Sequence, residues 1–176
     1  MNHLAQHAVL GYFLYKSVRL VWDMKSLERK LPPPLVFIIL CLAIKFTSEE
    51  FNTLSVNLPF AHIVLIACLV VSVLVGFAGV YEFRKAKTTI NPIQVKQASK
   101  VVDTGVFSFT RNPMYLSMFV LLFGFAYWQQ NILSMLITFT FVFYINRFQI
   151  LPEEAALEEL FGATYVDYKQ RVRRWI

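Results

Sequence analysis

From Phe60 to Tyr81 the chain runs for twenty-two residues without a formally charged side chain. At ~1.5 Å rise per residue a helix of that length crosses the ~30 Å hydrocarbon core of a bilayer, so the segment predicts a transmembrane helix. Composition supports a lipid setting. The 176 residues are 57% hydrophobic and only 16% charged, more apolar surface than one soluble domain of this length can cover. Seventeen Phe, eight Tyr and three Trp agree, since aromatic rings gather at membrane interfaces.

Three further apolar stretches extend the pattern. Met114 to Trp128 and Ile132 to Leu151 flank the polar tip Gln129, Gln130 and Asn131 and predict a helical hairpin, its first arm short for a full crossing. Leu35 to Phe46 follows Pro32, Pro33 and Pro34, which mark a sharp helix start, and Lys45 can snorkel to the interface. Leu4 to Trp22 is interrupted by His7, Lys16 and Arg19, and a charge near the bilayer centre costs at least ~2.5 kcal/mol. An interfacial amphipathic helix over this first part of residues 1–31 is expected, with a fifth span as the alternative. The expected fold is therefore all-α: one polytopic domain over residues 1–176 with four, or five, transmembrane helices, a C-terminal helical hairpin and an amphipathic tail.

The basic residues set the orientation. Arg84, Lys85, Lys87, Lys96, Lys100 and Arg111 lie between Glu82 and Asn112, and Lys169, Arg171, Arg173 and Arg174 in the tail, so both segments are expected on the cytoplasmic side. The connection Thr47 to Pro59 and the hairpin tip contain no Lys or Arg and belong opposite. A net charge of +6 could suggest nucleic acid, but the basic residues flank apolar segments and form no continuous stripe. Cys41 and Cys68 sit within apolar stretches, without the spacing of a zinc site or a disulfide framework, and read as reduced thiols. No basic n-region or small-x-small cleavage site marks the first residues as a signal peptide.

Polar residues at helix ends are where a membrane protein keeps its chemistry. Three clusters qualify: Thr88 to Pro92, Arg111 to Tyr115, and Arg147 through Glu153 and Glu154. Each has a purely structural explanation. Asn112 and Pro113 can serve as N-cap and first helical residue, Pro152 can open a helix whose first turn holds Glu153 and Glu154, and Arg147 can snorkel.

Their order is more informative than any one of them. Arg111-Asn112-Pro113-Met114-Tyr115, one hairpin, Glu153-Glu154, then Leu157, Phe161-Gly162, Tyr165, Tyr168 and a terminal Arg-Arg-Trp-Ile resemble the C-terminal half of the isoprenylcysteine carboxyl methyltransferase family. There the pattern runs Arg-His-Pro-x-Tyr-x-Gly, a hairpin, Glu-Glu and Phe-Gly-x-x-Tyr-x-x-Tyr. The resemblance covers about Asp103 to Ile176, and shorter bacterial members also carry a Thr-Thr-x-Asn-Pro loop like Thr88 to Pro92. Two positions depart from the pattern: Asn112 replaces the usual His, removing a titratable group, and Ser117 replaces the Gly.

The resemblance implies an integral membrane enzyme that transfers a methyl group from S-adenosylmethionine to a lipophilic acceptor, in a bacterial inner membrane, with its site facing the cytoplasm. Residues 103–176 would enclose the cofactor, with Asn112, Pro113, Tyr115, Glu153 and Glu154 beside it. Glu154, Arg147 and Arg111 are the candidates for the reacting end, through carboxylate and guanidinium pairing. Tyr165, Tyr168 and Trp175 are expected, with Leu157, Leu160 and Phe161, to form an apolar stripe packed on the membrane face.

Methyl transfer from a sulfonium needs placement of donor and acceptor rather than a metal or a covalent nucleophile. The chain has neither a Gly-x-Gly-x-x-Gly loop nor a Walker motif, and its glycines are dispersed. His3, His7 and His62 lie outside the clusters, which favours an acceptor needing no dedicated base, or a Glu acting as one. A prenylcysteine carboxylate, a lipid amine and a thiol all remain open as acceptors. The rival functions are an NADPH-dependent reductase resembling the sterol reductases and a non-catalytic membrane protein of the same fold.

Overall fold

The computed structural model describes Lys16, Glu28 and residues 31–87 and 98–176. The expectations for Leu4 to Trp22, apart from Lys16, and for Thr88 to Pro92 lie outside the described residues. Every regular element among the described residues is helical: α1 (Pro33–Glu50), α2 (Ala61–Ala86), α3 (Pro113–Trp128), α4 (Ile132–Ile145), α5 (Leu151–Phe161) and α6 (Ala163–Arg171). Short 3-10 turns occupy Asn52–Leu54 and Gly105–Ser108, and a π-helical turn, Asn146–Ile150, joins α4 to α5. Pro152 therefore does not open a separate helix. The chain continues from Ile132 to Phe161 as one helical rod of 30 residues, and the π turn carries the change of register ahead of the proline.

Two of these helices, Ala61–Ala86 and Ile132–Phe161, are long and apolar enough to cross a membrane, and Pro113–Trp128 is a shorter apolar helix. Burial decides between a membrane span and the core of a soluble protein. The apolar window of α2 is only 11% buried. Ile63, Ile66, Val70, Leu74 and Phe77 stand exposed along it, a continuous oily face of the kind a lipid environment covers. α1 is longer than the Leu35 to Phe46 read from the sequence, because its last turns continue through Lys45, Glu49 and Glu50 with a Lys45–Glu49 ion pair.

α3 lies along α2, α4 packs on α3 and on α1, and α1 also touches α3. The shared core holds Val36, Ile44, Tyr115, Leu122, Ala126, Phe141, Ile145 and Ile150. Small residues let α2 and α3 approach closely, as membrane helices do when hydrophobic burial supplies little drive between them. A Cβ on Gly124 would stand 2.4 Å from the Cys68 Cβ, and one on Gly79 would stand 3.1 Å from the Pro113 ring.

At one end of the bundle the connection after α1 is sewn to the hairpin tip. Asn131 caps α4 by accepting from the Ser134 backbone N–H at 3.1 Å and donates its amide to the Phe51 carbonyl at 2.9 Å. The Gln130 side chain donates to the Leu58 carbonyl, and Val56 N–H donates to the Gln130 carbonyl. These are the two segments without Lys or Arg, and they share one end. Arg84, Lys85, Lys100, Arg111 and the α6 tail gather at the other.

The Gly124 contact fixes the first expected outcome. Gly124→Ala brings a methyl group into the Cys68 side chain and should cost about 1–3 kcal/mol of bundle stability, read as a lower thermal midpoint in detergent; Gly162→Ala, where nothing lies within 4 Å of the added Cβ, reports only the cost of its positive φ.

Candidate active site

The basic end of the bundle is organised around Glu154, four per cent exposed and three residues beyond Leu151, where the apolar run of the long helix ends. Arg111 Nη2 donates to its Oε1 at 2.7 Å, and Arg174 donates to Oε1 at 3.1 Å and to Oε2 at 2.6 Å. Burial pushes the Glu154 carboxyl up, but the bonds from Arg174 and Arg111 outweigh it and hold the group below the usual glutamate range. The Glu154 bond likewise raises Arg174. A buried carboxylate between two guanidiniums is stable as a set and costly to break, because loss of one member strands the others.

Arg111 is also a backbone clamp. Its Nη1 donates to the Lys169 and Val172 carbonyls at 3.0 and 2.6 Å, and its own N–H donates to the Arg173 carbonyl at 3.0 Å. Asn112 sits at the N-cap position of α3, yet its side chain makes no cap bond. It turns outward and donates to the Arg174 carbonyl at 2.9 Å. Thr110 Oγ1 donates to the same carbonyl at 3.3 Å. The stretch Thr110 to Asn112 is thus laid against Val172 to Arg174. That makes the tail a wall of the site rather than a surface stripe.

The other wall comes from residues 100–108. Gly105, at φ +58, is pressed against Glu82 so closely that a Cβ would stand 2.5 Å from its Oε1. Thr104 Oγ1 donates to Glu82 Oε2 at 2.6 Å. Phe107 meets Phe83 edge-on at 5.0 Å, and its carbonyl accepts from the Tyr168 hydroxyl at 2.8 Å.

Between these walls is a cavity lined by Arg111, Asn112, Pro113, Tyr115, Glu153 and Glu154 together with Val101, Val102, Phe107, Leu157, Tyr165 and Tyr168. Of the candidates read from the sequence, the structure brings all but Arg147 to this cavity. Arg147 Nη1 instead donates to Glu28 Oε1 at 2.7 Å, with its guanidinium carbon 5.2 Å from the centre of the Phe148 ring, and it is not among the lining residues. Tyr165 and Tyr168 are four and three per cent exposed and face inward, contrary to the expected membrane-facing stripe; burial pushes both hydroxyls upward. Trp175 also turns inward, packing against the helical core.

Two lining groups are chemically distinctive. Glu153 Oε1 accepts from the Tyr115 hydroxyl at 2.6 Å. Arg111 Nε is buried and, among the described residues, has no hydrogen-bond partner. A donor left so is costly unless something else accepts from it. A second, apolar groove between the start of α1, α2 and α3 is lined by Pro33, Ser72, Gly76, Phe77, Ser117 and Met118, and shares Met114 and Tyr115 with the cavity.

A model of the phospholipid methyltransferase family matches residues 60–164, which span α2 to the start of α6 and include the Arg111 to Tyr115 and Glu153-Glu154 elements. The chain belongs to the phospholipid methyltransferase family. It is 46% identical over 63 residues to an uncharacterized protein of Haemophilus influenzae, covering all of that protein and 36% of this chain. It is 31% identical over 141 residues to the protein-S-isoprenylcysteine O-methyltransferase of Saccharomyces cerevisiae, covering 77% of this chain and 57% of the yeast protein. The chain thus spans little more than half the length of that relative.

Sequence reasoning missed Arg174 as the second partner of Glu154 and the lining role of Val101, Val102 and Phe107. For Arg174 a signal existed: a buried-edge carboxylate pair followed by a terminal pair of arginines. Val101, Val102 and Phe107 are ordinary apolar types and carried none.

The ion triad has a pH signature. Because the native Glu154 carboxyl titrates below its unfolded value, its stabilisation is present above the ordinary glutamate range, about pH 4.3, and is lost as pH falls through the depressed native value. Glu154→Gln should cost roughly 3–5 kcal/mol near neutral pH, and the gap between the wild-type and variant thermal midpoints should narrow as the buffer is acidified below that range.

Proposed function

We propose that this family member transfers a methyl group from S-adenosylmethionine to a lipophilic acceptor at the cytoplasmic face of the membrane. The observation that carries the reading is the cavity lined by Glu153 and by Arg111, whose buried Nε has no partner among the described residues, next to an apolar groove that shares Met114 and Tyr115 with it.

The residues present fit the cofactor. Arg111 Nε can donate to its carboxylate, and Glu153 can accept from its ammonium group or ribose hydroxyls. The apolar and aromatic lining from Val101, Phe107, Leu157 and Tyr165 suits a purine ring. When bound, S-adenosylmethionine supplies an electrophilic methyl group on a sulfonium. What the chain contributes is placement. Tyr115, at the partition between cavity and groove, is held by Glu153, so the carboxylate orients a side chain that both compartments share.

Asn112 and Pro113 set the start of α3, while Glu154 keeps Arg111 fixed and its charge compensated. Arg147 belongs to the joint beneath the site. A donor and acceptor held in line need little further acceleration. His62 stands beside Trp128, in the half of the bundle away from the cavity, and among the described residues no histidine lines the site. That favours an acceptor already anionic at neutral pH, such as the carboxylate of a prenylcysteine-like compound. For a lipid amine or thiol, Glu153, a carboxylate on the cavity wall, can take the proton. The groove supports an acceptor with an apolar tail drawn from the membrane.

Binding tests the reading directly. S-adenosylhomocysteine should raise the thermal midpoint of the detergent-purified protein, since a ligand specific to the folded state stabilises it by mass action. Glu153→Gln should bind it about 10- to 150-fold more weakly, the range of one hydrogen bond to a charged group. A shift with NADPH and none with S-adenosylhomocysteine would assign the chain to reductase chemistry instead. A shift with neither points to a non-catalytic protein.

Orientation is tested separately. In sealed vesicles carrying a Cys41→Ala, Cys68→Ala background, a cysteine placed at Gln130 and one placed at Lys169 should react with an impermeant thiol reagent from opposite sides. Reaction from the same side overturns the four-span topology.

A further inference from the structure

The π turn Asn146–Ile150 lies between the membrane-embedded α4 and the helix that carries Glu153 and Glu154. The Leu151 N–H reaches back to the Asn146 carbonyl, five residues earlier, so the turn takes up one residue more than an α turn would. At about 100° per residue, the face that follows is turned by one position. In an uninterrupted α-helix Pro152 would stand where Glu153 meets Tyr115, and Glu153 would stand where Glu154 meets the two arginines. Pro152 also has no N–H to continue an ordinary ladder into the turn before it. The carboxylates reach their partners only with this turn in place.

A π turn has weaker hydrogen-bond geometry than the α-helix on either side and needs support from elsewhere. Three of its side chains receive it. Arg147, eight per cent exposed, is paired with Glu28 at 2.7 Å. Gln149, one per cent exposed, donates to the Leu31 carbonyl at 2.9 Å. Asn146 Oδ1 accepts from the Trp175 indole N–H at 3.1 Å. The turn is therefore held on one side by residues just ahead of α1 and on the other by the tail segment that walls the cavity, through contacts that are not part of the cavity lining.

We propose that Glu28 and Trp175 are positioning residues for the cofactor site, which hold the π turn in register and through it aim Glu153 at Tyr115 and Glu154 at Arg111. This rests on the reading of the cavity as an S-adenosylmethionine site. Neither residue touches the cavity. Their effect is transmitted through Arg147 and Asn146.

The experiment measures the dissociation constant of S-adenosylhomocysteine and the thermal midpoint of the ligand-free protein for four variants. These are Glu28→Gln, Trp175→Phe, Arg147→Gln and the double variant Glu28→Gln with Arg147→Gln. Trp175→Phe keeps a ring against Phe119 and removes only the donor. Glu28→Gln lies far from Arg174 in the chain and guards against an effect of Trp175 on its neighbour. Glu49→Gln, at the opposite end of the bundle, is the control.

Binding should weaken about 2- to 30-fold in Glu28→Gln and Trp175→Phe, the range for residues coupled to a site they do not touch, while the ligand-free midpoint falls by no more than about 2–4 °C, the shift that a loss of about 1 kcal/mol gives in a chain of this size. The double variant should bind no more weakly than Arg147→Gln alone, because the two act through one pair. Unchanged affinity in both single variants, or an affinity loss matched by a collapse of the ligand-free midpoint, overturns the positioning role. A wild-type protein that does not bind S-adenosylhomocysteine overturns the cofactor reading itself and the positioning role with it.

Discussion

A carboxylate buried between two guanidiniums, just past the apolar run of the long helix, is the constraint on which the cavity-bearing half of this molecule depends. Glu154 needs both Arg111 and Arg174 to remain ionised out of water, and each arginine also carries backbone with it. Arg111 binds the carbonyls of Lys169 and Val172, and the carbonyl of Arg174 takes the amide of Asn112. One charge cluster thereby joins the start of α3, the first turn of α5 and the segment after α6. Without the carboxylate, the two arginines would repel across the same small volume. The cavity is the space these three segments leave open, with the loop held on Glu82 as its remaining wall.

A second constraint works inside the bilayer, where polar groups have no water to fall back on. Ser134 Oγ donates to the Ile44 carbonyl at 3.0 Å, and Asn131 uses its side chain twice, so the far end of the bundle is closed by side chains that satisfy the backbone locally. Small residues allow α2 and α3 to run in contact. Gly76 and Ser117 are among those small residues, a Cβ on Gly76 standing 3.2 Å from the Ser117 Oγ, and the apolar groove runs beside this contact.

Much of this was legible in the sequence because it rests on local rules. An uncharged run of twenty-two residues gave α2, the Gln129 to Asn131 tip gave the hairpin, and the absence of Lys and Arg grouped the two segments now seen stitched together. Arg111, Asn112, Pro113, Tyr115, Glu153 and Glu154 were singled out from the order of short motifs, and the structure collects them on one cavity. What could not be read depends on contacts across long separations. Arg174 meets Glu154 from 20 positions away, and Arg147 is drawn to Glu28 across 119. The inward turn of Tyr165 and Tyr168 follows the same logic. An apolar stripe on a short helix specifies a buried face, but not whether lipid or protein buries it, and here the 100–108 loop does. The π turn was hidden for another reason: Pro152 at the start of a helix and Pro152 behind a π turn look alike in one dimension.

The span between partners also orders events during synthesis. Arg111 leaves the ribosome 43 residues before Glu154 and 61 before Val172, the carbonyl that its Nη1 holds most closely. At about 5–20 residues per second the wait for the second of these is roughly 3–12 s. By then α2 and α3 have been made and can already lie in the bilayer. Through the first part of that interval the arginine has none of these partners, and its charge stays unmatched by the buried carboxylate. The lock that this side chain places on the tail can therefore close only after both helices have been made, so the pocket is the last part of the molecule to be assembled.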